Sequence, residues 1–94
     1  MTIYVDDYEG TFGRMIMCHM MSDESLEELH EFAQELGLKR SWFQNGSAPH
    51  YDLSKTKRKL ALELGATELR VMTGEDTKEW RRVYAAAKKL KETS

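Results

Sequence analysis

Residues 14–21, RMIMCHMM, are apolar at almost every position. A strand with one face in water alternates apolar and polar side chains, and this stretch does not alternate. It therefore predicts a strand that is covered on both faces and lies at the centre of a sheet. The rest of the chain has to supply the neighbours of this strand.

Two further strands are predicted from their content of β-branched and aromatic residues. One is formed by residues 2–6, TIYVD, and the other by residues 67–72, TELRVM. The segment YEGTFG, which separates the first two strands, contains two glycines and is interpreted as a turn.

The clearest helix of the chain lies in the segment SDESLEELHEFAQELGL. Its apolar residues recur at the spacing of one helix face: Leu26, Leu29, Phe32, Ala33 and Leu36. Ser25 and Glu28 have the spacing of a capping box, with Ser22 as an alternative start, and Gly37 is suited to end the helix. His30 falls outside the apolar stripe, so we expect it at the surface.

A second helix is predicted from Leu53 to Leu64, and a last helix over about residues 75–91. The predicted order is therefore β-β-α-α-β-α. This order indicates an α/β fold in which a small single-layer sheet of about three strands packs with three helices. The chain, residues 1–94, is predicted to form a single domain.

The charge balance and the single cysteine limit the classes of function. The net charge of -2 and the pI of about 5.9 argue against a general nucleic-acid-binding protein. No stretch approaches the ~18 apolar residues of a membrane span. Cys18 is predicted to be a buried thiol, not a nucleophile, which indicates a reducing, cytoplasmic setting. A chain of 94 residues buries only a modest core, so we expect a homo-oligomer.

Several acidic residues and histidines near the ends of the predicted strands could hold a divalent metal. They are Asp6, Asp7, His19, His50 and Asp52. Carboxylate oxygens and imidazole nitrogens suit Zn, Mn or Fe, although no tight metal-binding motif is present. Alternatively, the first two carboxylates end a strand and accept hydrogen bonds from backbone amides. Whether the set converges depends on strand order, because a simple hairpin would place Asp6 and Asp7 far from His19.

The segment SAPHYDLSKTKRK, residues 47–59, could bind an anion. It brings cations to the start of the second helix, where the macrodipole is already positive and where a phosphate would compensate. The alternative is a solvated basic helix end without a ligand. With Arg14 as a further positive charge, the predicted ligand-binding set is Arg14, His50, Tyr51, Lys55, Lys57 and Arg58.

The motifs YVDD, GRMIMCHMMSD, ELHEFAQELGLKRSWFQ and PHYDLSKTKRKLALELGA occur in this order within about residues 1–72. Together they resemble a family of small bacterial and phage proteins known only as a domain of unknown function. The resemblance implies a small cytosolic protein, often carried by phages, and no established activity. The last helix lies outside it. The motif residues are Tyr4, Asp6, Asp7, Gly13, Arg14, His19, Asp23, Leu29, His30, Phe32, Trp42, Phe43, His50, Tyr51, Asp52 and Lys57 or Arg58.

Three hypotheses of function follow. The first is a small binding module for a phosphorylated small molecule, with a nucleotide as the expected ligand; in a phage it could sequester a nucleotide signal of host defence. The second is a metal-assisted phosphoester hydrolase that uses Asp6, Asp7, His19 and His50. The third is a protein-interaction adaptor that presents the stretch Trp42-Phe43 or the last helix as an apolar anchor. A membrane or a nucleic acid is not an expected partner.

Overall fold

The computed structural model describes residues 3–12, 15–46 and 48–93. Within these ranges the chain forms five strands and three α-helices. The strands are β1 (Ile3–Asp6), β2 (Gly10–Phe12), β3 (Met15–Ser22), β4 (Tyr51–Ser54) and β5 (Thr67–Leu69). The helices are α1 (Leu26–Glu35), α2 (Lys55–Glu63) and α3 (Thr77–Thr93), and a short 3-10 helix (Arg40–Trp42) follows α1.

β3 lies at the centre of the sheet. Met20 pairs with Val5 of β1 and with Tyr51 of β4, so β1 and β4 lie on opposite edges of β3. β2 lies on the same edge as β1, because Met17 has one partner in β2 and another in β4. β5 runs parallel to β1 on its outer side. In the described ranges the sheet therefore begins at one edge with β4, followed by β3. β1 and β2 both pair with the other edge of β3, each along a different part of it, and β5 lies beyond β1.

Side chains of β1 and β3 pack alternately on the two faces of the sheet. Val5, Cys18 and Met20 are buried with residues of α1 and α2. Tyr4 and Met21 point to the other face and pack with residues of α3. The structure thus confirms that β3 is central and covered on both faces.

The mixed α/β class is confirmed, but the predicted strand number and order are wrong. β2 lies in the segment predicted as a turn, and it is a three-residue strand held by its pairing with β3. β4 lies where a loop and the start of the second helix were predicted. In β4 the buried Tyr51 and Leu53 alternate with Asp52, and pairing with β3 outweighs the helix signal. α2 consequently begins at Lys55 instead of Leu53.

α1 forms where its apolar periodicity predicts. The Ser25 side chain accepts a hydrogen bond from the Glu28 amide at 3.0 Å, which confirms Ser25 as the N-cap. At the other end Gly37 has a φ of 80°, and the Leu38 amide donates to the Ala33 carbonyl at 2.9 Å. This is the Schellman arrangement, which favours glycine at the positive-φ position. The buried face of the helix contains Leu29, Phe32 and Ala33.

α3 covers the face of the sheet opposite α1 and α2. Val83 and Ala87 are buried against Met21 and Leu69. The helix spans Thr77–Thr93, close to the predicted range. Among the described residues, no helix combines the length and the apolar content needed to cross a membrane.

Cys18 is a buried thiol, only 4% exposed. Burial, reinforced by the nearby charge of Asp6, raises the pKa of Cys18 to about 12. The thiolate is the reactive form of cysteine, and this pKa lowers the thiolate fraction of Cys18 more than about a thousandfold relative to free cysteine.

We expect Cys18 in native protein to react with a thiol reagent at least about a thousandfold more slowly than in the same protein unfolded in guanidinium chloride. Equal rates in the two samples would contradict the burial of Cys18.

His30 lies between α1 and the sheet and is partly buried, although the sequence places it at the surface. Its Nδ1 shares a hydrogen bond of 2.8 Å with the hydroxyl of Tyr51, and its ring meets that of Phe43 edge-on at 4.5 Å. Burial, assisted by the charge of Arg40, lowers the pKa of His30. His30 is therefore a packing residue that prefers its neutral form.

Because the folded state binds the His30 proton more weakly than the unfolded state, protonation favours unfolding. The associated stability is present above the unfolded pKa of about 6.5 and is lost as the pH falls through the lower folded pKa. His30→Gln keeps a partner for the Tyr51 hydroxyl but does not titrate. We expect its free energy of unfolding, measured with urea between neutral and mildly acidic pH, to fall less than that of the wild type. A parallel decline in both proteins would contradict this role.

Candidate functional site

The site begins at a bulge between β1 and β2. Val5 faces Met20 and Gly10 faces Met17, so the four residues between Val5 and Gly10 lie opposite only two residues of β3. The extra length breaks the ladder and redirects the chain locally. As a result, Asp6 at the end of β1 lies level with His19 in the middle of β3.

The Asp6 carboxylate is 2% exposed and fixes His19. Its Oδ1 accepts hydrogen bonds from the backbone amides of His19 at 2.9 Å and Tyr8 at 3.2 Å. Its Oδ2 accepts from Nδ1 of the His19 ring at 2.8 Å. Since the carboxylate oxygen is the acceptor, Nδ1 carries the proton, and neutral His19 presents a free lone pair at Nε2.

Pairing of β3 with β4 brings two more polar side chains to His19. Asp52 is the direct partner of His19 across the ladder, and His50 lies two residues before Asp52 on the same face of the strand. Asp52 Oδ1 is 3.4 Å from His50 Nε2 and 4.0 Å from His19 Nε2. One ligand atom from each of the three residues lies within 4.8 Å of the other two. We call His19, His50 and Asp52 the ligand cluster.

His50 and Asp52 are oriented by their own hydrogen bonds. Nδ1 of His50 donates to the carbonyl of Ala48 at 2.8 Å, so its free lone pair is also at Nε2. Oδ2 of Asp52 accepts from the Gln44 side chain at 2.7 Å, which leaves Oδ1 directed at the two imidazoles. Outer hydrogen bonds of this kind set the tautomer and orientation of metal ligands.

The electrostatics of the ligand cluster favour a positive charge. The hydrogen bond to Asp6, together with the charges of Asp6 and Asp52, raises the pKa of His19 against the opposing effect of burial. The side chains of His19, His50 and Asp52 are 35%, 22% and 27% exposed, so the cluster is open to solvent on one side.

A divalent metal fits this donor set. Two imidazole nitrogens and one carboxylate oxygen are ligands for Zn, Mn or Fe. Two ligands at about 2.1 Å from one ion lie at most about 4.2 Å apart. The separations of 3.4 and 4.0 Å from Asp52 Oδ1 satisfy that limit, and the two histidine ligand atoms lie within 4.8 Å of each other. His19, His50 and Asp52 could therefore hold a metal, with Asp6, Gln44 and the Ala48 carbonyl as supports.

A cleft of about 300 Å³ lies beside the bulge. Residues of the bulge, of β3 and of α2 line it: Asp7, Tyr8, Glu9, Met17, Cys18, Leu53, Lys55, Arg58, Lys59 and Leu62. Tyr8 connects the cleft to the ligand cluster, because its ring also meets the His19 ring edge-on at 5.2 Å. We call this cavity the bulge cleft.

The structure brings together only part of the predicted metal set. His19, His50 and Asp52 converge, and Asp6 supports them from the far side of His19. Asp7 is directed elsewhere, because its Oδ1 accepts from the amides of Val71 at 2.7 Å and Met72 at 3.0 Å. Asp7 therefore has the backbone-binding role that was the alternative interpretation.

The predicted anion-binding set is dispersed. Lys55 and Arg58 line the bulge cleft, whereas Lys57 Nζ donates to the Leu36 carbonyl at 2.5 Å, at the end of α1. Tyr51 is 1% exposed and borders a separate groove along α1, on the sheet face opposite His50. Arg14 lies outside the described residues.

Sequence reasoning missed Tyr8 as a site residue and did not anticipate that His50 and Asp52 share one face. The signal for the latter is present in PHYDLS, where His50 and Asp52 alternate with Tyr51 and Leu53. Such alternation is the mark of a half-buried strand. In this segment it competes with the capping pattern of the following helix.

The fold and the ligand cluster together define a small α/β domain with a two-histidine, one-carboxylate site at an interrupted strand. The sequence profile of DUF4031, described as a protein of unknown function, matches residues 3–83, and the chain belongs to this family. The resemblance inferred from the motifs is thus confirmed, and the match extends past residue 72 into α3. No curated protein and no solved structure matches the chain.

Asp6→Asn tests whether Asp6 sets the His19 tautomer. Two backbone amides bind Oδ1, so the new amide nitrogen should replace Oδ2 and donate to His19 Nδ1. The ring proton would then move to Nε2 and block the ligand atom. We expect nitrogen NMR to show this exchange in neutral His19, and zinc affinity to fall about 10–100-fold, as for other outer-shell changes.

Asp7→Asn is the matched control for Asp6→Asn. It removes a neighbouring carboxylate whose Oδ1 serves only backbone amides among the described residues, and the asparagine oxygen can accept both bonds. Zinc affinity and the His19 tautomer should match those of the wild type. If the two variants behave alike, the assigned role of Asp6 is wrong.

Proposed function

We propose that the protein is a divalent-metal-dependent hydrolase, with phosphoester hydrolysis as the reaction class and the ligand cluster as its metal site. The observation that carries the proposal is that His19, His50 and Asp52 direct ligand atoms to within 4.8 Å of one another. Structural zinc sites use four protein ligands, whereas catalytic sites use three and keep a position for water or substrate. Three partly exposed ligands fit the catalytic class.

Each residue of the site has a definable role in this proposal. A bound divalent ion would polarise a substrate oxygen and make water a nucleophile near neutral pH. His19 and His50 supply neutral Nε2 ligands, because Asp6 and the Ala48 carbonyl hold their Nδ1 protons. Asp52 supplies Oδ1 and offsets part of the charge of the ion. Tyr8 packs against the His19 ring and also lines the bulge cleft.

The contacts of Lys57 and Tyr51 favour the hydrolase over a module that binds phosphate at the start of α2. The Lys57 amide in the first turn already donates to the Ser54 side chain at 3.3 Å. The Lys57 ammonium binds the Leu36 carbonyl, and Tyr51 faces the other side of the sheet. Hydrogen bonds within the protein thus already occupy the Lys57 amide and the Lys57 ammonium, two groups that would otherwise bind a phosphate. The adaptor function stays a prediction, with Trp42 50% exposed.

The test of the proposal combines metal titration with single substitutions. Wild-type protein should bind zinc or manganese at one site and, once loaded, hydrolyse bis(p-nitrophenyl) phosphate or p-nitrophenyl phosphate. His19→Ala, His50→Ala and Asp52→Asn each remove a direct ligand. Each should weaken metal binding by more than the roughly 10–100-fold effect of an outer-shell change and abolish hydrolysis.

His30→Gln is the control, because it removes a histidine that lies on the opposite face of the sheet. It should retain the metal affinity and the rate of the wild type. Two outcomes would reject the proposal: wild-type protein that binds no divalent metal, or loaded ligand variants that hydrolyse both substrates as fast as the wild type.

A further inference from the structure

The bulge cleft contains two lysines with a shared orientation. Lys55 and Lys59 are four residues apart on α2, so they lie on the same side of the helix, and both line the cleft. Within the described ranges neither lysine side chain has a hydrogen bond or an ion pair. Like charges at this spacing destabilise a helix by about 0.2–0.5 kcal/mol. An anion between them would reverse that effect.

The neighbouring cations on α2 are engaged by the protein. Lys57 binds the Leu36 carbonyl, as described above. Arg58 donates from Nε to the Asp6 carbonyl at 2.9 Å and forms an ion pair of 3.4 Å with Glu68. The four basic residues of α2 thus divide into one pair that holds the fold together and one pair, Lys55 and Lys59, that faces the cleft.

The acidic residues of the bulge cleft do not neutralise this pair by contact. Asp7 directs its Oδ1 to two backbone amides. Glu9 is exposed, and no described residue forms an ion pair with it. The cleft therefore has a cationic wall formed by α2, and its volume of about 300 Å³ admits a small phosphorylated group.

We propose that Lys55 and Lys59 bind a phosphate group of a small anionic ligand in the bulge cleft. The cleft is lined by Cys18 and Leu53, which face α1 and α2, so it lies on the face of the sheet opposite the ligand cluster. The bulge joins the two places: the Asp6 carbonyl binds Arg58 on the cleft side, and the Asp6 carboxylate holds His19 on the other. Tyr8 contacts both. The inference goes beyond the proposed hydrolase and does not depend on it.

The ligand class follows from the two lysines and from the size of the cleft. Two ammonium groups on one side of a helix suit a phosphate or a diphosphate. The volume of about 300 Å³ suits a small phosphorylated molecule.

The test uses inorganic phosphate and pyrophosphate as probes on protein freed of metal with a chelator. Binding is measured by calorimetry, and the contact residues are located by NMR. Lys55→Gln and Lys59→Gln should each weaken pyrophosphate binding about tenfold or more, the effect of losing one charge-assisted hydrogen bond. Lys57→Gln makes the same charge change on the same helix, away from the cleft, and should stay within about twofold of the wild type.

The outcomes separate the cleft from the proposed hydrolase. Equal losses in all three lysine variants, or no pyrophosphate binding by the wild type, would overturn the cleft as an anion site. Pyrophosphate binding that depends on Lys55 and Lys59 supports it even if the protein proves to bind no metal, in which case only the hydrolase fails.

Discussion

The pair formed by Asp6 and His19 is the interaction on which the rest of the site depends. A carboxylate that is 2% exposed is stable only if hydrogen bonds replace its hydration, and Asp6 accepts three of them. Two come from His19, one from the backbone and one from the ring. The pair thereby ties the end of β1 to the middle of β3 across the bulge. It also fixes the imidazole tautomer that leaves Nε2 of His19 free as a ligand atom. The same pair therefore stabilises the strand arrangement and orients the ligand.

The bulge also explains why convergence could not be predicted from the sequence. A hairpin that turned at YEGTFG would have put Asp6 beside the turn and left His19 at the far end of the sheet. The chain instead makes a second short strand before it turns, and this moves Asp6 level with His19. Residues 10–12 carry no periodicity that could reveal a strand of three residues. The pairing energy of a remote strand, not local propensity, decides their conformation.

Elements with a strong local pattern were predictable. The continuous apolar run specifies a central β3, and the Ser25 cap with its apolar stripe specifies α1, because neither depends on a distant register. The residue types of the site were identified as well, but their grouping was not. His50 and Asp52 act together only because β4 is a strand. That strand exists only where β3 provides a partner, so tertiary pairing outweighs the helix signal that begins at Ser54.

The basic residues at the start of α2 can be explained by their contacts with the rest of the fold. Cations in a first turn oppose the helix dipole, at a cost of about 0.3–1 kcal/mol each. Lys57 offsets that cost by binding the Leu36 carbonyl at the end of α1, and Arg58 does so by binding the Asp6 carbonyl at the bulge. The Leu36 carbonyl is one of the acceptors that the end of a helix leaves without an intrahelical partner. No comparable bond accounts for Lys55 and Lys59 among the described residues. Structural need therefore explains half of the basic cluster, and the half that remains unexplained is the half that faces a cleft.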